Sequence, residues 1–551
     1  MMVSSAAGNA PSAKVRRART LLAIGAAAGV LLYWVYVNVM SPLPSYTPRY
    51  DPEMPYMMNS LAVFKSQAYT YVDHPGTPLE VIGSFVLVAQ KVVLGIPSDQ
   101  LIQFTLENPR VFLLWVHGLL ALGSAATVFL LVTAGFPVRR GADLFPALAA
   151  AFIFVAVHSP PALASLSFWS HNSFNFPAGT LLLAIVLVRL RRGDDLSRWE
   201  TLLFGLLAGG LAAVQLYFAT WAVGLSVMLG LNKGLTRRSP LLGLSVALEV
   251  GASAVGGFFL ATQPIIHRYR EFVWWVRGLI LHQGNYAQGP RGFTSLGLLG
   301  EHLLRLWSEG GAILLGAAGV TVALLVVAMV LHRGDWALRP WWWSAVIGCT
   351  LQLAATFGLI LKHPGTTYLL AIAAALPVLS ILAWESIASA GKMGRAVVTG
   401  VSLLVLVGLG WAVVRSLQEH QRSLASISAA QAELGKVTSE LAEELNRDPA
   451  SLVRLWGYDS PSACFALRFG NGYVEGLFEQ EIDRACPRDF QYNIWTRRAE
   501  LPGGAGYLDE VESWDLLILP TRHFPGNVEG LRVALRSAET GLSYVLPPNS
   551  P

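Results

Sequence analysis

Long runs of apolar residues alternate with short basic clusters along most of this chain. The runs lie near residues 20–40, 111–136, 144–160, 176–190, 201–231, 240–262, 311–331, 341–361, 366–384 and 396–415. A run of about 18 or more apolar residues is long enough to cross the hydrocarbon core of a bilayer as a helix. The pattern therefore predicts an α-helical polytopic membrane protein.

The basic clusters between these runs predict how the chain is threaded through the membrane, because lysine and arginine collect on the cytoplasmic side. The run 201–231 has basic clusters on both sides. We therefore expect two short helices there, with a turn near Gln215–Tyr217. With that turn, the chain has about eleven spans, a cytoplasmic N-terminus (1–19), a membrane module (20–415) and an outer C-terminus.

The outer loop 41–108 contains two sequence signals for the start of a helix. Asp51-Pro52-Glu53 has the pattern of an N-cap followed by proline at the first helical position. Thr77 and Glu80 have the spacing of a capping box. The helix after Thr77 is long enough to span, but we favour an interfacial or half-inserted helix because the later charge alternation then fits.

Beyond residue 415 the composition changes from apolar to mixed. Residues 416–447 carry apolar positions at helical spacing, which predicts an amphipathic helix. Residues 448–551 contain SLVRLWGY and WDLLILP, which predict buried strands in a small extracytoplasmic α/β domain. Cys464 and Cys486 lie in this domain and are expected to pair if it is outside the cytoplasm.

Composition excludes several classes of protein. The chain is 53% hydrophobic and only 14% charged, which is too apolar for a soluble protein of 551 residues. Its formal charge of +5 comes from clusters between apolar runs, so it does not indicate a nucleic-acid partner. Three cysteines form no zinc motif and no disulfide-dense scaffold.

The first outer loop concentrates acidic residues and a histidine directly after the first span. Asp51 and Glu53 either cap a helix or form a base or a metal-binding pair, because carboxylates accept protons and bind divalent cations through oxygen. Asp73 and His74 either belong to a polar turn or bring a second carboxylate and an imidazole to the same site.

A second group of candidate residues is basic and lies in the outer loop 263–308. Its members are Arg268, Arg270, Arg277, Arg291 and Arg305. They either extend from an interfacial helix beside Trp274 and Trp275, or bind an anionic ligand through the forked hydrogen bonds that arginine makes to phosphate. We favour the anionic ligand, because five outer arginines contradict the usual charge bias.

Lys362 and His363, followed by Tyr368, form a third candidate group between two predicted spans. The pair Lys362-His363 precedes Pro364-Gly365, so it either belongs to a capped tight turn or supplies a second phosphate contact.

These features, in this order, resemble the GT-C-fold membrane glycosyltransferases, the superfamily of protein O-mannosyltransferases and lipid A aminoarabinose transferases. The similar features are the acidic pair Asp51 and Glu53, HPGTPL at 74–79, the basic outer loop 263–308 and LKHPGTTYLL at 361–370. The resemblance covers residues 20–415. The sequence departs from the family at 161–175, where many members carry a further acidic motif and this chain has none.

The resemblance implies a glycosyltransferase in the cytoplasmic membrane of a bacterium. Its donor would be a polyprenyl-phosphate sugar, and its acceptor a lipid, a glycan or a protein. Asp51 takes the role of the catalytic carboxylate, with Glu53, Asp73 and His74 around it. The donor phosphate would be bound by Arg268, Arg270, Arg277, Lys362, His363 and Tyr368. A divalent cation held by Asp51 and Glu53 is left open.

A transporter or flippase for a lipid-linked saccharide is the alternative function. Transport predicts functional charges within the spans, where they are costly. The predicted spans are nearly free of charge, with Glu249 the main exception, so the sequence favours the enzyme. A structural anchor for the C-terminal domain would explain neither the loop acids nor the outer arginines.

Overall fold

A computed structural model describes most of the chain. The described residues are 13–44, 50–67, 70, 72, 77–135, 168–193, 195–282, 292, 296–331, 340–362, 365, 368–389, 391–458, 460–494, 498–501, 504–507, 514–521, 532–538 and 540–547. The predicted span 144–160 and the candidate residues Asp73, His74, Arg291 and His363 lie outside them.

The chain divides into two compact units. The first comprises Met1–Val35, Val72–Pro78 and His117–Ser416. The second comprises Tyr36–Tyr71, Leu79–Val116 and Leu417–Pro551, so it contains most of the predicted first outer loop together with the C-terminal domain.

Helices make up most of the described residues before the C-terminal domain. In chain order they are α1 (Ala13–Val35), α2 (Tyr50–Phe64), α3 (Thr77–Leu94), α4 (Ser98–Glu107), α5 (Pro109–Leu130), α6 (His171–Arg192), α7 (Arg198–Val214), α8 (Ala219–Arg237), α9 (Pro240–Ala261), α10 (Tyr269–Leu281), α11 (Leu299–Leu306), α12 (Ala312–Leu331), α13 (Pro340–Lys362), α14 (Leu369–Ala373), α15 (Leu376–Ser389) and α16 (Lys392–Glu444). Short π-helical segments at Tyr36–Met40, Leu131–Gly135 and Trp307–Gly311 and 3₁₀ turns at Leu216–Phe218, Gln263–Arg268 and Leu296–Leu298 adjoin them.

Nine helices among the described residues are long and apolar enough to cross a membrane. They are Ala13–Met40, Thr77–Leu94, Pro109–Thr133, His171–Arg192, Pro240–Ala261, Leu314–Leu331, Pro340–Lys362, Leu369–Ser389 and Lys392–Glu444. The chain is therefore a multi-pass membrane protein of α-helical class, as predicted. The number of eleven spans stays a prediction.

The run 201–231 forms two helices, as the flanking basic clusters predicted. α7 ends at Val214, Gln215 is extended, and a 3₁₀ turn at Leu216–Phe218 leads into α8. At its other end, α7 begins with a complete capping box. The hydroxyl of Ser197 accepts the N–H of Glu200, and the Glu200 carboxylate accepts the N–H of Ser197.

The most buried segment of the first unit is Leu369–Ser389, which comprises α14 and α15. In its most apolar window 94% of the residues are buried, compared with 17% in α9 and 22% in the window of α12. The buried residues of α14 and α15 pack with Phe176, Trp221 and Trp342 in one apolar core. Such extensive burial identifies α14 and α15 as the centre of this helical unit, whereas α9 and α12 expose apolar surface suited to lipid.

α16 is one continuous helix of 53 residues. The sequence predicted a span at 396–415 and a separate amphipathic helix at 416–447. No proline interrupts this stretch, so nothing in the sequence ends the helix between the two predicted elements.

The described residues of the C-terminal domain form a seven-stranded mixed sheet. Its strands are β1 (Arg454–Trp456), β2 (Asp489–Asn493), β3 (Arg498–Leu501), β4 (Gly504–Tyr507), β5 (Leu516–Pro520), β6 (Arg532–Arg536) and β7 (Leu542–Leu546), in the order β4-β3-β2-β1-β5-β7-β6. β1 pairs in parallel with β2 and β5, and the outer pairs are antiparallel. Two helices, α17 (Ala463–Gly472) and α18 (Glu479–Ala485), connect β1 to β2. The predicted α/β class and both predicted strands of this domain are confirmed.

The predicted pairing of Cys464 with Cys486 is also confirmed. The two residues form a disulfide with their Cα atoms 5.6 Å apart. The bond joins the first turn of α17 to the residue after α18, so it closes the connection between β1 and β2. Cys349 is a free, buried cysteine in α13.

Candidate functional site

The predicted acidic pair lies in the first turn of α2, in the second unit. Asp51 is the second residue of this helix and Glu53 is the fourth. The first turn of a helix favours negative charge because its N–H groups point toward the N-terminus. Pro55 has no N–H, so it cannot donate the helical hydrogen bond to the carbonyl of Asp51.

α2 is buried from Glu53 to Ala62, unlike an ordinary surface-loop helix. Its buried residues are Glu53, Met54, Tyr56, Met57, Met58, Asn59, Ser60, Leu61 and Ala62. The Asn59 amide donates to the carbonyl of Pro55 at 2.9 Å, and the Ser60 hydroxyl donates to that of Tyr56 at 2.7 Å. The acidic turn therefore belongs to a packed element, and the Glu53 side chain is only 3% exposed.

The partner of α2 is the C-terminal domain, within the same unit. Gly470 in α17 packs against Met54 so closely that a Cβ there would meet the Met54 backbone. Lys65, just after α2, forms an ion pair with Glu481 at 3.8 Å. Thr70 donates its hydroxyl hydrogen to the carbonyl of Tyr473 at 2.6 Å. Sequence reasoning missed this packing, because it joins segments about 400 residues apart.

Glu80 is a further acidic residue of the second unit, and it is completely buried in α3. Neither of its carboxylate oxygens has a hydrogen-bond partner among the described residues, and the Thr77 hydroxyl has none either. The predicted capping box is therefore wrong. Thr77 lies within the helix, which leaves it unable to act as the cap. A buried carboxylate without partners is costly, and such groups concentrate at functional sites.

The predicted anion-binding arginines of the first unit lie on and beside α10. Arg268 forms an ion pair with Glu271 at 3.0 Å, and the Arg277 guanidinium lies 4.9 Å from the ring centre of Trp274. Arg270 is exposed. α10 also exposes the rings and aliphatic chains of Val273, Trp274, Ile280 and Leu281. These contacts match an interfacial helix with snorkelling arginines, the structural alternative considered for this loop.

Lys362 ends α13 and is tied to α10. Its side chain is buried, and its ammonium donates to the carbonyl of Ile280 near the C-terminal end of α10. A helix C-terminus carries partial negative charge, so it stabilises a cation there. The ring nitrogen Nδ1 of His302, in α11, lies 2.7 Å from the carbonyl oxygen of Leu361. The structure thus joins Lys362 to the basic loop 263–308, which the sequence grouped with it.

Tyr368 lies beside the turn that separates α7 from α8. Its ring centre is 4.7 Å from that of Tyr217. Next to Tyr217, Gln215 is completely buried, and neither its Oε1 nor its Nε2 has a hydrogen-bond partner among the described residues. The amide of Asn175 and the N–H of Gln215 both donate to the carbonyl of Leu211, at 3.0 and 3.1 Å.

The two tyrosines, Gln215 and Asn175 therefore form a polar cluster at the break between α7 and α8. The sequence signal for it was the helix break at 215–217, because irregular backbone at membrane depth must be buried in protein or line a cavity. Sequence reasoning identified Tyr368 and the break, but it assigned no role to Gln215 or Asn175.

No group of three or more histidine, cysteine or acidic side chains that could hold a metal ion occurs within the described part of the chain. Of the acids named as ligands, Glu53 alone has a described side chain. The divalent cation therefore stays an open prediction.

Comparison with known proteins adds no family to this picture. No protein-family model matches the chain, no curated protein matches it, and no solved structure matches it.

Proposed function

We propose that this protein is a GT-C-type membrane glycosyltransferase, which moves a sugar from a polyprenyl-phosphate donor to an acceptor at the extracytoplasmic face. The proposal rests on the position and packing of α2. An acidic turn directly after the first membrane helix is built into a packed helix, with Glu53 buried beside Asp51 in the chain. Acidic side chains are seldom fully buried, so a buried acid in a loop that follows a membrane span is a candidate for function.

The orientation proposed from sequence is an N-terminus inside, a C-terminal domain outside and about eleven spans in the cytoplasmic membrane of a bacterium. The basic clusters support it through the positive-inside rule. The disulfide between Cys464 and Cys486 supports it independently, because disulfides persist in oxidising compartments outside the cytoplasm.

In the proposed reaction, Asp51 accepts the proton of the acceptor hydroxyl as its oxygen attacks the anomeric carbon. The bond between that carbon and the phosphate oxygen breaks, and polyprenyl phosphate leaves with the electron pair. A direct displacement of this kind inverts the anomeric centre. Glu53, Asp73 and His74 position Asp51 or the acceptor, or hold a cation if one is used.

The leaving phosphate is proposed to contact the basic residues of the membrane module. Tyr368 is supported by its contact with Tyr217, next to the buried Gln215, and Lys362 by its link to α10. Arg268, Arg270, Arg277 and His363 are retained from the resemblance. Losing one contact that stabilises the departing charge costs about 10²–10³ in rate.

The test is release of free polyprenyl phosphate from a panel of radiolabelled polyprenyl-phosphate sugars, with membranes that contain the wild type or Asp51→Asn. Asp99→Asn is the matched control, because Asp99 is an exposed acid in α4 of the same unit. Release that is lost in Asp51→Asn and kept in Asp99→Asn supports the proposal. Full release in Asp51→Asn, or no release from any donor by inserted wild-type protein, overturns it.

One observation favours the alternative of a transporter or flippase for a lipid-linked saccharide. Glu80 is a buried acid without a described partner in a helix long enough to span, and such residues often mark transport pathways. Transport predicts that Glu80→Gln abolishes flux of the lipid-linked substrate in vesicles while Asp51→Asn retains it. The opposite pattern favours the enzyme.

A further inference from the structure

A groove of about 870 Å³ runs along α8 and α9 at the basic end of the helical unit. It is lined by α8 from Val227 to Arg238, by α9 from Pro240 to Ala247 and by Pro340 at the start of α13. Apart from Thr236 and Arg238, its lining side chains are aliphatic or are glycine and proline. Such a lining suits a hydrocarbon chain.

The floor of this groove is made by two glycines. A Cβ on Gly243 would lie 2.7 Å from the carbonyl oxygen of Gly230, and a Cβ on Gly230 would lie 2.7 Å from that of Gly243. The backbones of α8 and α9 therefore touch there, as small residues allow in membrane proteins. Gly230 and Gly243 have no side chains, so neither residue fills the groove.

The length of the groove along α8 is close to the thickness of one leaflet of a bilayer. Val227 and Arg238 are eleven residues apart along α8, which corresponds to about 16 Å at the helical rise of 1.5 Å per residue. The hydrocarbon core of a bilayer is about 30 Å thick. An acyl chain of a lipid in one leaflet would therefore extend along the whole groove.

An exposed arginine, Arg238, lies at the basic end of the groove. Lys233 and Arg237 both contact Asp195, the former at 3.0 Å. Arg238 is exposed and forms no ion pair within the described part of the chain. Among the described residues, Lys233 and Arg237 thus share the Asp195 carboxylate, and Arg238 has no carboxylate partner.

The backbone of Arg238 points to a use for its side chain. Its φ of +51° lies in the left-handed region, at the C-cap of α8. At the same position of α6 the chain has Gly193, with a φ of +70°. Glycine is favoured there because it has no Cβ. Residues in less favourable backbone conformations occur at ligand sites, so the conformation of Arg238 supports a functional role for its side chain.

We infer that this groove binds one anionic glycerophospholipid, with an acyl chain along Val227–Arg238 and the phosphate at Arg238. The mouth lies at the end of α8 that carries the basic clusters, where the positive-inside rule places the cytoplasmic leaflet. Basic pockets between helices on that side bind anionic head groups. The other end of α8 adjoins Tyr217, so this lipid site is separate from the proposed donor site and independent of the transfer reaction.

The test is native mass spectrometry of the full-length protein in neutral detergent, titrated with phosphatidylglycerol or phosphatidylcholine. Three variants are compared: Arg238→Gln, Val227→Trp to fill the groove, and Arg192→Gln as control. Arg192 is an exposed arginine at the end of α6 that does not line the groove. We expect one tightly retained phosphatidylglycerol and about fivefold weaker binding in Arg238→Gln, as for the loss of one basic residue at an anionic surface.

Val227→Trp is expected to lose most of the retained lipid, and Arg192→Gln to bind as the wild type does. Equal affinity for both lipids, or equal weakening in Arg238→Gln and Arg192→Gln, would overturn the inference. A change in the dimer fraction of Val227→Trp with unchanged lipid retention would overturn it too, because the groove would then be a contact between copies. If Val227→Trp does not fold, the comparison of Arg238→Gln with Arg192→Gln still tests the inference.

Discussion

Gly470 packs against Met54 so tightly that a Cβ on Gly470 would lie 2.8 Å from the Met54 Cβ and 3.0 Å from its carbonyl oxygen. Met54 follows Glu53 in α2, so the C-terminal domain directly supports the acidic turn. From this contact we expect the domain to position the proposed site.

Substituting Gly470 by alanine is expected to displace α2 and slow the release of polyprenyl phosphate. Overpacking of this kind costs typically about 1–3 kcal/mol in stability. Gly472→Ala is the matched control, because a Cβ there would meet nothing within 4 Å. Both variants are compared by release assay and by thermal unfolding in detergent. Equal activity of the two variants would show that α17 does not position α2.

Alkylation of the cysteines tests the disulfide and, with it, the location of the C-terminal domain. The chain has three cysteines, of which Cys349 alone is free in the described structure. Denatured but unreduced protein should therefore take up one alkylating group per chain, and reduced protein three. Uptake of three groups without reduction, in protein purified with its thiols protected, would argue against an outer C-terminal domain.

Removing the disulfide is expected to destabilise the C-terminal domain. Loss of a native disulfide from a small domain costs typically about 2–5 kcal/mol. The double variant Cys464→Ser/Cys486→Ser should lower the unfolding midpoint of this domain. Cys349→Ser is the control and should leave that midpoint unchanged, because Cys349 lies in α13. Unchanged unfolding of the paired variant would mean that the connection between β1 and β2 is held by other contacts, such as those of Arg468 with Glu479 and Asp483.

The charge of Glu200 should make the free energy of unfolding depend on pH. Hydrogen bonds from the Ser197 backbone N–H and hydroxyl, both at 2.9 Å, lower the pKa of Glu200. A lowered carboxyl pKa contributes stability above the ordinary value of about 4.3, and this contribution is lost as the pH falls through the lowered pKa. Glu200→Gln should therefore cost about 0.3–1 kcal/mol at neutral pH, as for a charge at a helix N-terminus, and nothing in acid.

The measurement is unfolding by added denaturing detergent at neutral pH and in acid. Glu444→Gln is the control, because Glu444 is an exposed acid at the C-terminal end of α16. It should show no loss at neutral pH. A cost for Glu200→Gln that is the same at both pH values would exclude the charge of Glu200 as its source.

Arg238→Gly should raise the stability of the protein and weaken its binding of lipid. Glycine adopts the left-handed conformation of this position without steric cost. The free energy of unfolding of the variant in lipid-free detergent should therefore rise by about 1 kcal/mol. The variant should at the same time lose affinity for phosphatidylglycerol, as Arg238→Gln does. A variant that loses stability without lipid would show that Arg238 serves the fold.

Local patterns in the sequence predicted much of this structure. Apolar runs and basic clusters were enough for the membrane helices and for the break at Gln215, because both depend on the bilayer, whose dimensions are known beforehand. The two buried strands and the pairing of Cys464 with Cys486 followed from composition and compartment.

Contacts over long sequence separations could not be predicted in this way. Nothing near Gly470 in the sequence indicates that it faces Met54, and nothing near Lys362 indicates that it meets the end of α10. The capping box at Thr77 failed for a related reason, since a four-residue pattern does not determine where a helix begins in its tertiary setting.

The hydrogen bond from Thr70 to Tyr473 spans 403 positions of the chain. A ribosome that adds about 5–20 residues per second needs about 20–80 s to make that interval. During this time α2 has been synthesised while its partner in the C-terminal domain does not yet exist. The acidic turn is therefore among the last parts of the molecule to mature, and a chain that ends before the final hundred residues would lack the proposed activity even with every membrane helix inserted.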